Sequence, residues 1–155
     1  MISIRRILCP VDFSESSTHA IEYALAFASA YRAELRLLHV VYPPSYGVGA
    51  DGINIDITVQ MTEHVEKTSR EQLHALAENA RTSWPEVTEE ILTGVPFLEI
   101  IRSARAAQAD LIVMGTHGRT GLAHALIGSV AERVVRKAPC PVLTVKHPEH
   151  DFVMP

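Results

Sequence analysis

The chain has 155 residues, 47% of them hydrophobic and 21% charged, a balance typical of one globular domain rather than of a disordered chain. Its 14 basic and 18 acidic residues give a formal net charge of −4. That charge argues against a general nucleic-acid binder, because such proteins gain affinity from basic faces that neutralise phosphates. No apolar run approaches the ~18 residues of a transmembrane helix, so we expect no membrane span.

The N-terminal residues, MISIRRILCPVDF, place charge ahead of apolar residues, as a secretory signal peptide does. The apolar stretch is too short for such a peptide, and Pro10 and Asp12 interrupt it. Cys9 and Cys140 lie far apart and form no C-x-x-C pair, which favours free thiols in a reducing compartment. We therefore expect a cytoplasmic protein.

Strand-like and helix-like patterns alternate from the start of the chain. A short apolar run predicts the first strand at 5–11. Apolar residues at helical spacing predict a helix over 14–33, which Asp12 or Ser14 can cap. The segment 34–42 has a nearly continuous apolar content, which indicates a strand buried on both faces of a parallel sheet.

The same alternation continues through the rest of the chain. Prolines and glycines predict a loop over 43–57, and a helical pattern follows from about 59 to 83. The segment 87–94 is more amphipathic, so we expect that strand near an edge of the sheet. The remaining predicted elements are a helix at 97–108, a strand at 109–115, a helix at 129–138 and a strand at 139–146.

This order of elements predicts a single α/β domain with a doubly wound open sheet of five parallel strands and helices on both faces. Right-handed crossover connections leave few possible topologies for it. We expect the domain to span 1–147 and the tail, 148–155, to be frayed.

The stretch GVGADG, residues 47–52, spells the G-x-G-x-x-G pattern of dinucleotide-binding turns. In such a turn the glycines follow a strand directly and open a helix. Here PPSY separates the strand from Gly47, and INIDITV, which is poor in helix signals, follows Gly52. We therefore interpret the match as a connecting loop, which could still close over a ligand.

The second glycine-bearing stretch, GTHGRTGLAHALIGS, runs directly on from a predicted strand. Gly115 and Gly118 remove the Cβ atoms that would keep phosphate oxygens from the backbone, and they permit positive φ. Gly128 and Ser129 place unpaired amides at the start of a helix, and Arg119 lies between the two clusters. The other interpretation is that the glycines only shape a long connection, with Ser129 as an ordinary N-cap. Both interpretations stay open at this point.

The same stretch fits the G-2x-G-9x-G-[ST] pattern of the universal stress protein family, on its nucleotide-binding branch. Further segments resemble that family in the family's own order, and together they cover about 3–146: ILCPVDFSESS, LLHVV, TGVPFLEII and CPVLTVK. The resemblance implies the strand order 3-2-1-4-5. It also implies a ligand between the first and fourth strands, where that order reverses.

The resemblance further implies an ATP site, with Mg²⁺ as an optional companion ion. It places Asp12 at the ribose hydroxyls, the backbone of Val40 at the adenine edge and Ser129 at the phosphate chain. The residues that it assigns to the site are Pro10, Val11, Asp12, Val40, Met114, Gly115, Gly118, Arg119, Gly128, Ser129 and Val130. It implies dimers through the exposed edge of the last strand, at 141–145.

Three functions are compatible with these observations. The favoured hypothesis is a cytosolic ATP-binding sensor or regulator of the stress response. It is not an efficient catalyst, because the sequence has no G-x-x-x-x-G-K-[ST] motif and no evident catalytic base or Mg²⁺ carboxylates. The alternatives are a dimeric interaction module that needs no nucleotide and an adenylate-forming or flavin-related enzyme. His147 and His150 are too few fixed ligands for a metal site, and His117 fits a surface or ligand-stacking role.

Overall fold

The computed structural model describes residues 2–43, 55–117 and 127–146, with side chains omitted at 55–58. Its strands are β1 (Arg6–Pro10), β2 (Glu34–Val41), β3 (Val87–Thr93), β4 (Leu111–Gly115) and β5 (Val142–Val145). Its helices are α1 (Glu15–Tyr31), α2 (Ile55–Ser83), α3 (Pro96–Ala106) and α4 (Ser129–Lys137).

The five strands form one parallel sheet in the order β3-β2-β1-β4-β5, which confirms the predicted topology. The chain winds from β1 through β2 to β3 on one side, and then crosses over to β4 and β5 on the other. Strand order therefore reverses between β1 and β4. At such a point the connections leave the carboxyl edge in opposite directions and open a crevice.

Helices cover both faces of the sheet, as predicted. Alternate strand residues point to opposite faces. Thus Ile7 and Cys9 pack in the cluster that contains buried residues of α1 and α2, whereas Leu8 packs in the cluster of α3 and α4. Strand β2 is buried along most of its length, and β3 is half-exposed at the edge, as its mixed sequence indicated.

The observed boundaries agree with the predicted ones within three residues, with one exception. Helix α2 begins at Ile55, so the predicted loop at 43–57 is wrong over its last three residues. Ile55, Ile57, Thr58 and Val59 are β-branched, and β-branched residues have a lower helix propensity than leucine or alanine. Each of them costs the helix only a few tenths of a kcal/mol, which is small beside the stability that a helix of 29 residues gains from tertiary packing. The helix ends at Ser83, before Trp84 and Pro85, as expected.

The last strand is shorter than predicted because two prolines precede it. Pro139 and Pro141 have no N–H to donate to a ladder. The carbonyl of Pro141 still accepts a hydrogen bond from Ile112 N at 3.0 Å, but regular pairing starts at Val142. The expected frayed tail, 148–155, lies outside the described residues. Within the described ranges, no helix combines the length and apolarity that crossing a bilayer requires.

Gly115 ends β4 at the place where the first turn of α1 crosses it. A Cβ built on Gly115 would lie 2.9 Å from the carbonyl carbon and oxygen of Ser16, and it would also meet Ser16 Oγ. Among the described glycines, Gly94 has a positive φ and Gly115 does not. The positive φ that glycine permits is therefore not used at Gly115. Glycine is required here because α1 approaches β4 closely.

We predict that Gly115→Ala lowers the free energy of unfolding by about 1–3 kcal/mol, because the new methyl group forces α1 away from β4. Urea denaturation measures the loss. Ser16→Ala is the control: Ser16 Oγ has no hydrogen-bond partner in the described structure, so its removal changes stability little. The double variant keeps most of the loss, since the backbone contact persists. Full recovery in the double variant would show that only the hydroxyl was in the way.

A second prediction concerns Cys9, which is fully buried in β1. Burial raises the pKa of its thiol to about 12, above the value of about 8.5 for an exposed thiol. The neutral thiol therefore stabilises the fold below about pH 8.5, and this contribution is lost as the pH rises towards 12. In reducing buffer, the free energy of unfolding should fall more steeply above about pH 8.5 in the parent than in Cys9→Ala. Parallel pH profiles would contradict this account.

Candidate functional site

Beyond the end of β1 at Pro10, the chain stays paired with β2 for one more residue and turns after Val11. Val11 N donates a hydrogen bond to Leu38 O at 2.8 Å, and His39 Nδ1 lies 2.7 Å from Val11 O. His39 is buried and packs against Phe13, with ring centroids 4.4 Å apart. These contacts fix the backbone that presents Asp12 at the carboxyl edge of the sheet.

The carboxylate of Asp12 is held by the turn that opens α1. Ser14, rather than Asp12, is the N-cap, because its Oγ accepts from Ser17 N at 3.2 Å. Asp12 Oδ1 in turn accepts from Ser14 N at 3.0 Å, and Asp12 N donates to Ser17 Oγ at 3.3 Å. One oxygen of Asp12 thus organises the turn, and this fixes the direction of the whole carboxylate.

Two hydrogen bonds fix the ends of the connection between β4 and α4. Thr116 N donates to Val145 O at 3.0 Å, which extends the ladder between β4 and β5 by one residue. Gly128 N donates to Thr116 O at 2.6 Å, which brings the start of α4 beside the end of β4. The expectation of an unpaired amide at Gly128 is therefore wrong, and the amide of Thr116 is also paired.

The start of α4 has no side-chain cap. Gly128 is the N-cap, with extended backbone (φ −71°, ψ 155°), and Ser129 is the first helical residue. The interpretation of Ser129 as an ordinary N-cap is wrong. The N–H groups of a first helical turn have no intrahelical acceptor. Within the described ranges, Ser129 N and Val130 N also find no acceptor elsewhere. With the positive end of the helix dipole, these two amides form a site suited to an anion.

These elements surround a cavity of about 600 Å³ at the carboxyl edge of the sheet. All nine described residues of the predicted site line it: Pro10, Val11, Asp12, Val40, Met114, Gly115, Gly128, Ser129 and Val130. Gly118 and Arg119 lie outside the described residues. The family resemblance thus indicated residues from four separate segments, and the fold brings them to one cavity.

The cavity has further walls that the sequence analysis did not assign. One comes from the start of α3, which follows β3 and reaches the same edge. Another comes from the second turn of α4. The unassigned lining residues are Ser17, Leu38, Tyr42, Val95, Pro96, Phe97, Ile100, Thr116, His117, Ala131 and Arg133. The signal available for the first wall was the position of TGVPFLEII directly after a strand, since every strand of a parallel sheet ends at this edge.

The cavity is apolar over most of its wall and charged at particular points. Leu38, Val40 and Ile100 lie among its apolar residues. Among the described lining residues, Asp12 is the one carboxylate and Arg133 the one guanidinium. A ligand with a flat apolar part, hydroxyl groups and an anionic end would match these surfaces. The described ranges contain no group of three His, Cys, Asp or Glu residues placed to hold a metal ion.

Comparisons with known proteins agree with this architecture. The chain matches the model of the universal stress protein family over residues 3–146. It is 38% identical to a universal stress protein of Methanocaldococcus jannaschii, over 95% of this chain and 85% of the relative.

Solved structures show the same fold. The structure of the M. jannaschii protein MJ0577 superposes with a TM-score of 0.85 at 29% identity, covering 96% of this chain and 99% of that one. A universal stress protein of Archaeoglobus fulgidus, solved in complex with dAMP, has a TM-score of 0.63 at 24% identity, covering 93% and 98%.

Proposed function

This chain belongs to the universal stress protein family, and from that premise we propose that it binds ATP in the cavity between β1 and β4. In this proposal it acts as a cytoplasmic sensor or regulator in the stress response and not as an efficient catalyst. The domain responsible spans 1–147. Mg²⁺ is an optional companion of the nucleotide.

The observation that carries the proposal is a pair of amides, Ser129 N and Val130 N, that have no acceptor among the described residues and belong to residues lining a cavity of suitable size. Small-molecule sites commonly enclose about 300–1,000 Å³, and this cavity measures about 600 Å³. Uncapped helix N-termini bind phosphate groups through N–H donors and the helix dipole. An apolar wall beside such a site suits a nucleotide better than it suits a free phosphate ion.

In this proposal each part of ATP lies against a different surface of the cavity. The adenine ring packs on the apolar wall, where the backbone of Val40 reads its edge. The ribose hydroxyls meet Asp12, whose carboxylate the α1 turn already orients. The phosphates reach Ser129 and Val130. By family resemblance, Met114, Gly118 and Arg119 contact the ribose and phosphates.

The A. fulgidus protein with dAMP bound shows an adenine nucleotide on this fold. For the present chain, binding is inferred from its own cavity and its own uncapped helix. No efficient turnover is proposed, because the sequence lacks the G-x-x-x-x-G-K-[ST] motif, whose lysine cradles transferred phosphates.

A dimeric interaction module that binds no nucleotide is the second candidate. It is favoured by β5, which among the described strands pairs with β4 alone and lies at an edge of the sheet. Its residues Val142–Thr144 are partly exposed. An unpaired edge strand can pair with a second copy, so we propose a homodimer through 141–145. This dimer is compatible with ATP binding, and the two candidates differ only in whether the cavity is used.

We predict that Ser129→Pro weakens ATP binding by about tenfold or more, because proline removes the Ser129 N–H donor. Proline is favoured at the first helical position, and the extended backbone of Gly128 suits the residue before a proline. The variant should therefore melt at or near the temperature of the parent. Isothermal titration calorimetry gives the affinities.

The matched control is Ser129→Ala, which removes the hydroxyl and keeps the N–H, and which should cost less affinity. If Ser129→Pro binds ATP as tightly as the parent, the phosphates do not lie at α4. If the parent binds no ATP at millimolar concentration, the interaction module is the better account.

A further inference from the structure

Arg133 lies at the cavity with its guanidinium over an aromatic ring. Its Cζ is 5.0 Å from the centre of the Phe97 ring, and Lys137 Nζ is 5.7 Å from the same centre. Phe97 and Arg133 both line the cavity. Two cations therefore share one ring, which itself lines the proposed site.

No carboxylate balances this pair within the described structure. On the same helix, Arg136 forms an ion pair with Glu132 at 3.0 Å. Arg133 forms no ion pair with a carboxylate of the described residues. Like charges four residues apart on a helix repel each other. Cation–π contacts at exposed positions are weak. Arg133 can therefore leave Phe97 readily when an anion is offered nearby.

The helix directs Arg133 towards the uncapped amides. Ser129 and Arg133 are four residues apart, so they lie on the same face, about 6 Å apart along the axis. Side chains in a helix lean towards its N-terminus, so Arg133 extends over the turn that begins at Ser129. A phosphate chain that starts at Ser129 N and Val130 N and continues outwards would come within reach of the guanidinium.

We propose that Arg133 leaves Phe97 to bind the distal phosphates of the bound nucleotide, and so makes the pocket prefer a nucleoside triphosphate over a monophosphate. This inference rests on the proposed function. The inference adds a residue that selects nucleotides by the length of their phosphate chain. Arg133 is a specificity-determining residue in this account, and no covalent step is involved.

The test compares the affinities for ATP and AMP in four proteins: the parent, Arg133→Met, Arg133→Lys and Arg136→Met. Methionine keeps an apolar stem against Phe97 and removes only the charge. We expect Arg133→Met to weaken ATP binding about tenfold and AMP binding less than about twofold. Arg133→Lys should recover most of the ATP affinity. Arg136→Met, the same change on an exposed face, should leave both affinities as in the parent.

Equal losses of ATP and AMP affinity in Arg133→Met, or no loss of either, would overturn the inference and leave the proposed function standing. A parent protein that binds neither nucleotide would overturn both. If Arg133→Met fails to fold, the inference is tested on the parent protein by measuring the ratio of its ATP affinity to its AMP affinity at several salt concentrations. That ratio should fall as sodium chloride increases, because an exposed charge pair is screened. A ratio independent of salt would contradict the role of Arg133.

Discussion

Two main-chain N–H groups at the start of α4, those of Ser129 and Val130, are the interaction on which the functional account depends. Gly128 has no side chain to cap them, so these donors, which belong to residues lining the cavity, have no acceptor in the described structure. Polar groups that line an apolar cavity rarely lack a hydrogen-bond partner unless water or a ligand supplies one. The proposed nucleotide phosphate is an acceptor of suitable charge.

The rest of the fold fixes where those donors stand. Hydrogen bonds from Thr116 N to Val145 O and from Gly128 N to Thr116 O tie the start of α4 to the end of β4. The missing Cβ of Gly115 lets α1 pack on β4, so the turn that orients Asp12 comes beside the same cavity. The reversal of strand order between β1 and β4 provides the space between them. The packing of α1 on β4 and the order of the strands thus together determine the position of the site.

Local patterns in the sequence predicted most of the fold. The mixed polarity of 87–94 placed that strand at an edge, and resemblance to a family gave the order 3-2-1-4-5. What local patterns missed depends on tertiary contacts. The bond of Thr116 N reaches Val145 on the neighbouring strand, the bond of Gly128 N joins the two ends of the connection between β4 and α4, and the Phe97–Arg133 contact joins two helices. The start of α2 at Ile55 differs from the prediction because β-branched residues lower helix propensity only slightly.

The most direct test of the central claim is a titration of the isotopically labelled protein with ATP, followed by the amide signals in two-dimensional ¹H–¹⁵N NMR spectra. The account predicts that the amides of Ser129 and Val130 shift the most and move together with occupancy, because their N–H groups gain a charged acceptor. ATP binding that saturates while these two signals stay in place would contradict the account.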